Sequence, residues 1–120
     1  MKTPTGVFSP FDVVVVPFPF TDSSVSKRRP ALILSAENEF NAPAGHSVMA
    51  MITSADNPPW PLDVTVKDIA QAGLPTSSVI RMKLFTLDNR LIIRRIGSLS
   101  GSDRRMLEKS FRRLLSSVIS

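Results

Sequence analysis

Residues 11–35 read FDVVVVPFPFTDSSVSKRRPALILS, two apolar runs on either side of a polar, serine-containing loop that ends Lys27-Arg28-Arg29-Pro30. The valines from Val13 to Val16 and the run Ala31 to Leu34 have the composition of buried strands. Pro30 locks its own φ and steers Arg29 toward an extended backbone, so the guanidinium projects from a fixed base beside the loop. Always charged, and with its donors in a planar fork, an arginine so placed suits a phosphodiester better than a lysine does.

Working outward, short apolar or β-branched runs recur at Val48 to Ile52, Val64 to Val66, Val79 to Met82 and Leu91 to Ile93, separated by Pro, Gly, Asn, Asp and Ser. With the two opening runs they predict five to six strands of a small antiparallel barrel or strongly bent sheet. In Ser78-Val79-Ile80-Arg81-Met82-Lys83, Ile80 and Met82 share one face and Arg81 and Lys83 the other, so one face goes to the core and the other presents cations. A short helix is expected from Lys67 to Ala72, closing at Gly73. A longer one follows Ser100-Gly101-Ser102-Asp103, a capping box. There Met106, Leu107, Phe111, Leu114, Leu115 and Val118 recur at helical spacing against a basic face, which predicts a helix packed on the sheet rather than one lying on a membrane. The fold class is therefore mainly β with α, an antiparallel barrel with a C-terminal amphipathic helix.

The 120 residues are expected to form a single domain spanning 1–120. With no cysteine, disulfides and thiolate zinc sites are excluded and cohesion must come from packing. The start carries no apolar signal region and no stretch approaches the roughly 18 apolar residues that cross a bilayer, so a cytoplasmic, soluble protein is expected, with no membrane partner. Lys and Arg number 15 against 10 acidic residues, a net charge of +5; a polyanion is the natural partner, a merely soluble basic surface the alternative.

Gly-rich phosphate loops, paired-histidine metal motifs and nucleophile elbows are all missing from the sequence. Its one histidine, His46, falls in the loop from Asn41 and reads as a surface side chain, acid–base duty being the alternative. What remains is a set of cations and hydroxyls: Arg29, Thr53 and Ser54 at the end of the strand Met49-Ala50-Met51-Ile52, and Arg81. Such a set suffices to cut RNA without metal or cofactor, because ribose brings its own nucleophile in the 2′-OH. Each also reads as structure, Arg29 and Arg81 as surface cations and Thr53 as a turn former. Trp60, in Asn57-Pro58-Pro59-Trp60-Pro61, reads as an aromatic lid on the sheet edge, with base stacking the alternative.

From Phe11 to Leu115 the chain resembles the MazF/PemK-type toxins of bacterial type II toxin-antitoxin pairs. The resemblance lies in the order and spacing of Asp12-Val13-Val14-Val15-Val16, Phe18-Pro19-Phe20-Thr21-Asp22, Lys27-Arg28-Arg29-Pro30-Ala31-Leu32-Ile33-Leu34, Met51-Ile52-Thr53-Ser54, Ser78-Val79-Ile80-Arg81 and Lys83-Leu84-Phe85-Thr86-Leu87-Asp88. It implies a homodimeric SH3-like, CcdB-like barrel that cuts single-stranded RNA at short sequences without a metal, and a cognate antitoxin that occupies the RNA groove. The family's catalytic arginine and threonine fall on Arg29 and Thr53, and a contributing arginine of PemK-like relatives on Arg81. Lys27, Arg28, Ser54, Lys83, Thr21 and Ser24 would then line the RNA path. Arg29 would stabilise the phosphorane-like transition state, with protonation of the leaving 5′-oxygen a second role open to it. Thr53 would bind the phosphate or relay the 2′-OH proton, leaving a 2′,3′-cyclic phosphate and a 5′-OH. Where relatives carry an acidic residue, this chain has Ser24 or a near neighbour in the first loop and Lys83 on the later strand, so no carboxylate base is assigned; Asp22 is the loop alternative. Two rivals share the barrel. One is a gyrase poison, which relies on a tryptophan near the C-terminus whereas the single tryptophan here is Trp60. The other is an inert RNA-binding barrel.

Overall fold

A computed structural model describes residues 7–19 and 27–119. Six strands, β1 (Asp12–Phe18), β2 (Lys27–Ile33), β3 (His46–Ser54), β4 (Val64–Thr65), β5 (Ser78–Asp88) and β6 (Arg94–Ser98), form one antiparallel sheet in the order β4-β5-β3-β2-β1-β6. The sheet curls into a half-barrel, with its central strands apolar on both faces. Val13, Leu32, Ala50, Ile52 and Ile80 face one cluster, which α3 (Gly101–Leu114) closes with Leu107 and the half-buried Phe111. Val14, Val16, Ala31, Ile33, Met49 and Leu87 form the second, with Ile92.

The curl has a local cause in β5. Ala50 of β3 lies opposite Leu84, but its neighbour Met51 lies opposite Arg81, so Met82 and Lys83 are extra residues in the ladder. The inward phase switches there: Ile80 and Met82 serve the first cluster, Phe85 and Leu87 the second. A smaller irregularity sits between Val13 and Val14 against β6. Such bulges sharpen the bend of a strand.

The run Leu91 to Ile93, expected as a strand, is mostly something else. Asn89–Leu91 is a 3-10 turn that Asp88 caps by accepting from Arg90 N. Its side-chain cap competes with the ladder for the local amides. Buried Asn89 accepts from Ser47 Oγ at 2.6 Å and donates to Asn41 O at 2.8 Å. Only at Ile93, whose amide donates to Val15 O, does pairing with β1 begin. The stretch between β2 and β3 folds as a π-helical turn, Glu37–Asn41, followed by α1 (Ala42–Ala44) and a left-handed Gly45.

The short helix α2 (Ile69–Ala72) starts at Asp68, whose carboxylate accepts from Gln71 N, and ends on Gly73 at φ 73°. A side chain there would meet Ile96 O at 2.0 Å, so glycine is required by space as well as by conformation. At the head of α3, Ser100 Oγ accepts from Asp103 N as a capping box demands. The other half of the box is absent: the buried Asp103 carboxylate instead accepts from Lys67 N and Asp68 N at 3.0–3.1 Å. It thereby ties α3 to the approach of α2. Of the expected apolar stripe, Leu107 is buried and Phe111 half-buried, whereas Met106, Leu114 and Val118 are exposed. Among the described residues no helix is long and apolar enough to cross a membrane.

Candidate nucleic-acid site

The site begins where β2 and β3 part. Their ladder pairs Ala31 with Met51, Leu32 with Ala50 and Ile33 with Met49, and goes no further. Pro30 has no N–H to continue it. Continued by two residues, the same register sets Arg29 opposite Thr53. In the opening lies a pocket of about 160 Å³ lined by Arg29, Pro30, Ile52, Thr53, Ser54 and the wall Leu74-Pro75-Thr76, with Ser78. Two residues 24 positions apart in sequence, and not paired with each other in the sheet, thus share one cleft.

Arg29 is exposed, and no side chain among the described residues pairs with its guanidinium. β1 holds its backbone, Arg29 lying opposite Val16. Thr53 is half-buried, and its Oγ1 accepts from Asn57 Nδ2 at 2.6 Å. Ser54 Oγ accepts from Asp56 N at 3.1 Å, and Ser54 O from Asn57 N. The turn holds both hydroxyls at the edge of the pocket. Arg29 and Pro30 also face a larger pocket of about 480 Å³, which Arg28 and Arg94 line with Val15 and Gly73. Arg29 lines both parts and Arg28 and Arg94 the larger one, and among the described residues no carboxylate lines either.

Arg81 reaches the same region by a different route. On β5 it lies opposite Met51, while Thr53 lies opposite Val79, which makes Arg81 and Thr53 diagonal neighbours on one face. Its guanidinium, however, is engaged. Nε donates to Asp63 Oδ1 at 3.2 Å, Nη2 to Asp63 Oδ2 at 2.9 Å and to Pro58 O at 2.9 Å. Donation of these hydrogen bonds to the Asp63 carboxylate raises the Arg81 pKa above its ordinary value.

Lys83, in the bulge, is exposed with Nζ 4.6 Å from the Trp60 ring centroid. Trp60 is 42% exposed, and its ring lies against Arg81 and Lys83 of β5. Lys27 and Arg28 are exposed on β2. Thr21 and Ser24 lie outside the described residues, as does the loop alternative Asp22. His46 is exposed at the start of β3, opposite Asp88, and lines neither part of the cleft. There, hydrogen bonds from Arg90 lower Asp88 to about 2.

Asn57, Asp63 and Arg94 join the site without any advance signal in the sequence. Asp63 pairs with a residue 18 positions away, and no local motif marks Asn57 as a partner of Thr53. Among the described residues no three His, Asp or Glu side chains gather as a metal site requires.

A profile of the family described as the PemK-like, MazF-like toxin of type II toxin-antitoxin systems matches residues 9–115. The chain belongs to this toxin family. Its fold is shared by solved MazF structures. The Mycobacterium tuberculosis toxin MazF-mt6 is 23% identical with a TM-score of 0.68, the match covering 88% of this chain and 96% of that one. A MazE-MazF structure from Deinococcus radiodurans is 21% identical over 92% of this chain and 97% of the other, with a TM-score of 0.71. An endoribonuclease in complex with its cognate antitoxin from a mycobacterial species is 13% identical over 93% and 96%, with a TM-score of 0.70. Comparison with curated proteins gives no match. In this member of the family, Arg29 and Thr53 line one cleft where β2 and β3 part.

Proposed function

We propose that the protein is the growth-inhibiting endoribonuclease of a toxin-antitoxin pair, cutting single-stranded RNA at short sequences without a metal. The observation that supports this reading most is the shared cleft of Arg29 and Thr53 at the point where the β2–β3 ladder opens.

The reaction is attack of the ribose 2′-oxygen on the adjacent phosphorus. The new O2′–P bond forms as the P–O5′ bond breaks, leaving a 2′,3′-cyclic phosphate and a 5′-hydroxyl that takes up a proton. Arg29, unpaired among the described residues, supplies positive charge and two-pronged donors to the non-bridging oxygens as negative charge builds there. Thr53 already receives a hydrogen bond from Asn57 on Oγ1, so its own proton is directed to another acceptor, a phosphate oxygen. Proton removal from the 2′-OH falls to a group other than a carboxylate in the described pocket walls. Arg28, Lys27 and Arg94 hold flanking phosphates, a contribution that weakens with salt. A homodimer and an antitoxin that occupies the cationic cleft complete the proposal, the latter favoured by charge complementarity.

The test is incubation of the purified protein, and of its Arg29→Ala and Thr53→Ala variants, with a long single-stranded RNA in EDTA, followed by mapping of fragment 5′ ends. Discrete cuts by the wild type, lost in both variants, are expected. Full inhibition by the chelator would overturn metal independence. Intact RNA under folded wild-type protein would move the assignment to a gyrase poison or an inert RNA binder.

A further inference from the structure

The loop between β3 and β4 holds Trp60 with its backbone clamped and its side chain partly exposed. Pro58, Pro59 and Pro61 restrict the chain on both sides. Asp63 Oδ2 accepts from Trp60 N at 3.0 Å, and Asp63 N donates to Trp60 O at 3.2 Å. Asp63 is in turn gripped by Arg81, which also donates to Pro58 O. Trp60 as a whole is 42% exposed. Two cations attend it, Lys83 Nζ at 4.6 Å from the centroid and Arg81 Cζ at 5.8 Å. The same loop supplies Asn57, which holds Thr53.

From this arrangement we infer that Trp60 is a stacking platform for an unpaired nucleobase next to the scissile phosphate, and that it sets base preference. A rigid exposed ring loses little freedom on receiving a base, and every base offers a π face to it. Lys83 supplies charge for the phosphate of the stacked nucleotide while contributing a cation–π contact of its own. A base bound here is aligned with the cleft by the Asn57–Thr53 hydrogen bond, which fixes the loop to the site of attack. The inference rests on the ribonuclease reading for its place in the reaction, but stacking itself can be measured without cleavage.

Trp60 is the single tryptophan and the chain has no tyrosine, so the intrinsic emission of the whole protein reports this one ring. The experiment titrates the wild-type protein with a single-stranded RNA made uncleavable by 2′-O-methylation, and separately with inorganic polyphosphate. Cleavage sites are then mapped for Trp60→Phe and Trp60→Ala. The RNA is expected to quench the emission and polyphosphate to leave it unchanged. Trp60→Ala is expected to lose about tenfold in kcat/KM and to cut with relaxed base preference, while Trp60→Phe keeps most of both. Equal quenching by polyphosphate would overturn the inference, since charge alone would then explain the signal. Absence of quenching by RNA would also overturn it and leave the ring as a contact for a protein partner. RNA quenching without any wild-type cleavage would support the platform while rejecting the ribonuclease reading. An unchanged cut pattern in both Trp60 variants would reject the role in specificity and leave the ribonuclease reading standing.

Discussion

Asp63 and Arg81, 18 residues apart, meet through two parallel hydrogen bonds of 3.2 and 2.9 Å, and side chains only 17% and 11% exposed carry them. The family pattern places Arg81 among the residues that handle RNA, yet its donors are directed to Asp63 and to Pro58 O. A guanidinium held in this way is better suited to fixing the loop from Asn57 to Asp63 than to meeting each new phosphate. Arg81→Ala and Asp63→Ala should therefore impair cleavage to a similar degree, and the double variant should be no worse than either. Such non-additivity is the signature of residues acting as one unit. If Arg81 bound a phosphate directly, its loss would exceed that of Asp63 and would reduce the salt dependence of RNA binding by about one ion.

The 2.6 Å contact between Asn57 Nδ2 and Thr53 Oγ1 sets the direction of the threonine hydroxyl. Asn57→Ala should lower kcat about tenfold with little change in KM, the size of effect expected from losing one hydrogen bond that orients a group. Thr53→Ser keeps an acceptor for Asn57 and should retain most activity, whereas Thr53→Val should not. A rise in KM with unchanged kcat for Asn57→Ala would place the asparagine in ground-state binding instead.

Arg29 is exposed at the point where β2 leaves β3, and exposed charges away from networks contribute little to folding. Arg29→Ala should leave denaturant stability within about 0.5 kcal/mol of the wild type and reduce cleavage on the order of 10²–10³-fold. Arg29→Lys should recover only a small part, because an ammonium does not reproduce the planar fork. Thermal melts and single-turnover assays on the same samples separate the two effects.

The strand pattern and the candidate cleft were legible from the sequence to different depths. Val13 to Val16, Pro30 after Arg29, and Gly73 behind a short helix carry local chemistry that needs no partner, and the structure has strand, ladder end and left-handed cap at those places. The alternation of Ile80 and Met82 was also readable, but the extra pair Met82 and Lys83 that switches its phase at Phe85 was not, because a bulge is defined by the opposite strand. Leu91 to Ile93 has strand composition, and the cap supplied by Asp88 and the burial of Asn89 beneath Asn41 and Ser47 displaced most of it from the ladder. Asp63 and Asn57 acquire their roles from partners brought together by folding, so nothing in their neighbourhoods announced them.

Asp103 connects stability to the cleft through the approach to α2. Its carboxylate is fully buried at the head of α3 and accepts hydrogen bonds from the amides of Lys67 and Asp68, immediately before the helix whose exit forms the wall Leu74-Pro75. Asp103→Asn preserves size but turns one acceptor into a donor facing those amides. It should cost about 2–3 kcal/mol by urea denaturation, since buried donors are left without a partner. The loosened wall should also raise KM for RNA below the unfolding transition, while kcat, which the proposed mechanism assigns to Arg29 and Thr53, should change less. Equal stability of wild type and Asp103→Asn would mean that the two amides find water or another acceptor; unchanged KM in a destabilised variant would mean that the Leu74-Pro75 wall holds its place without this tie.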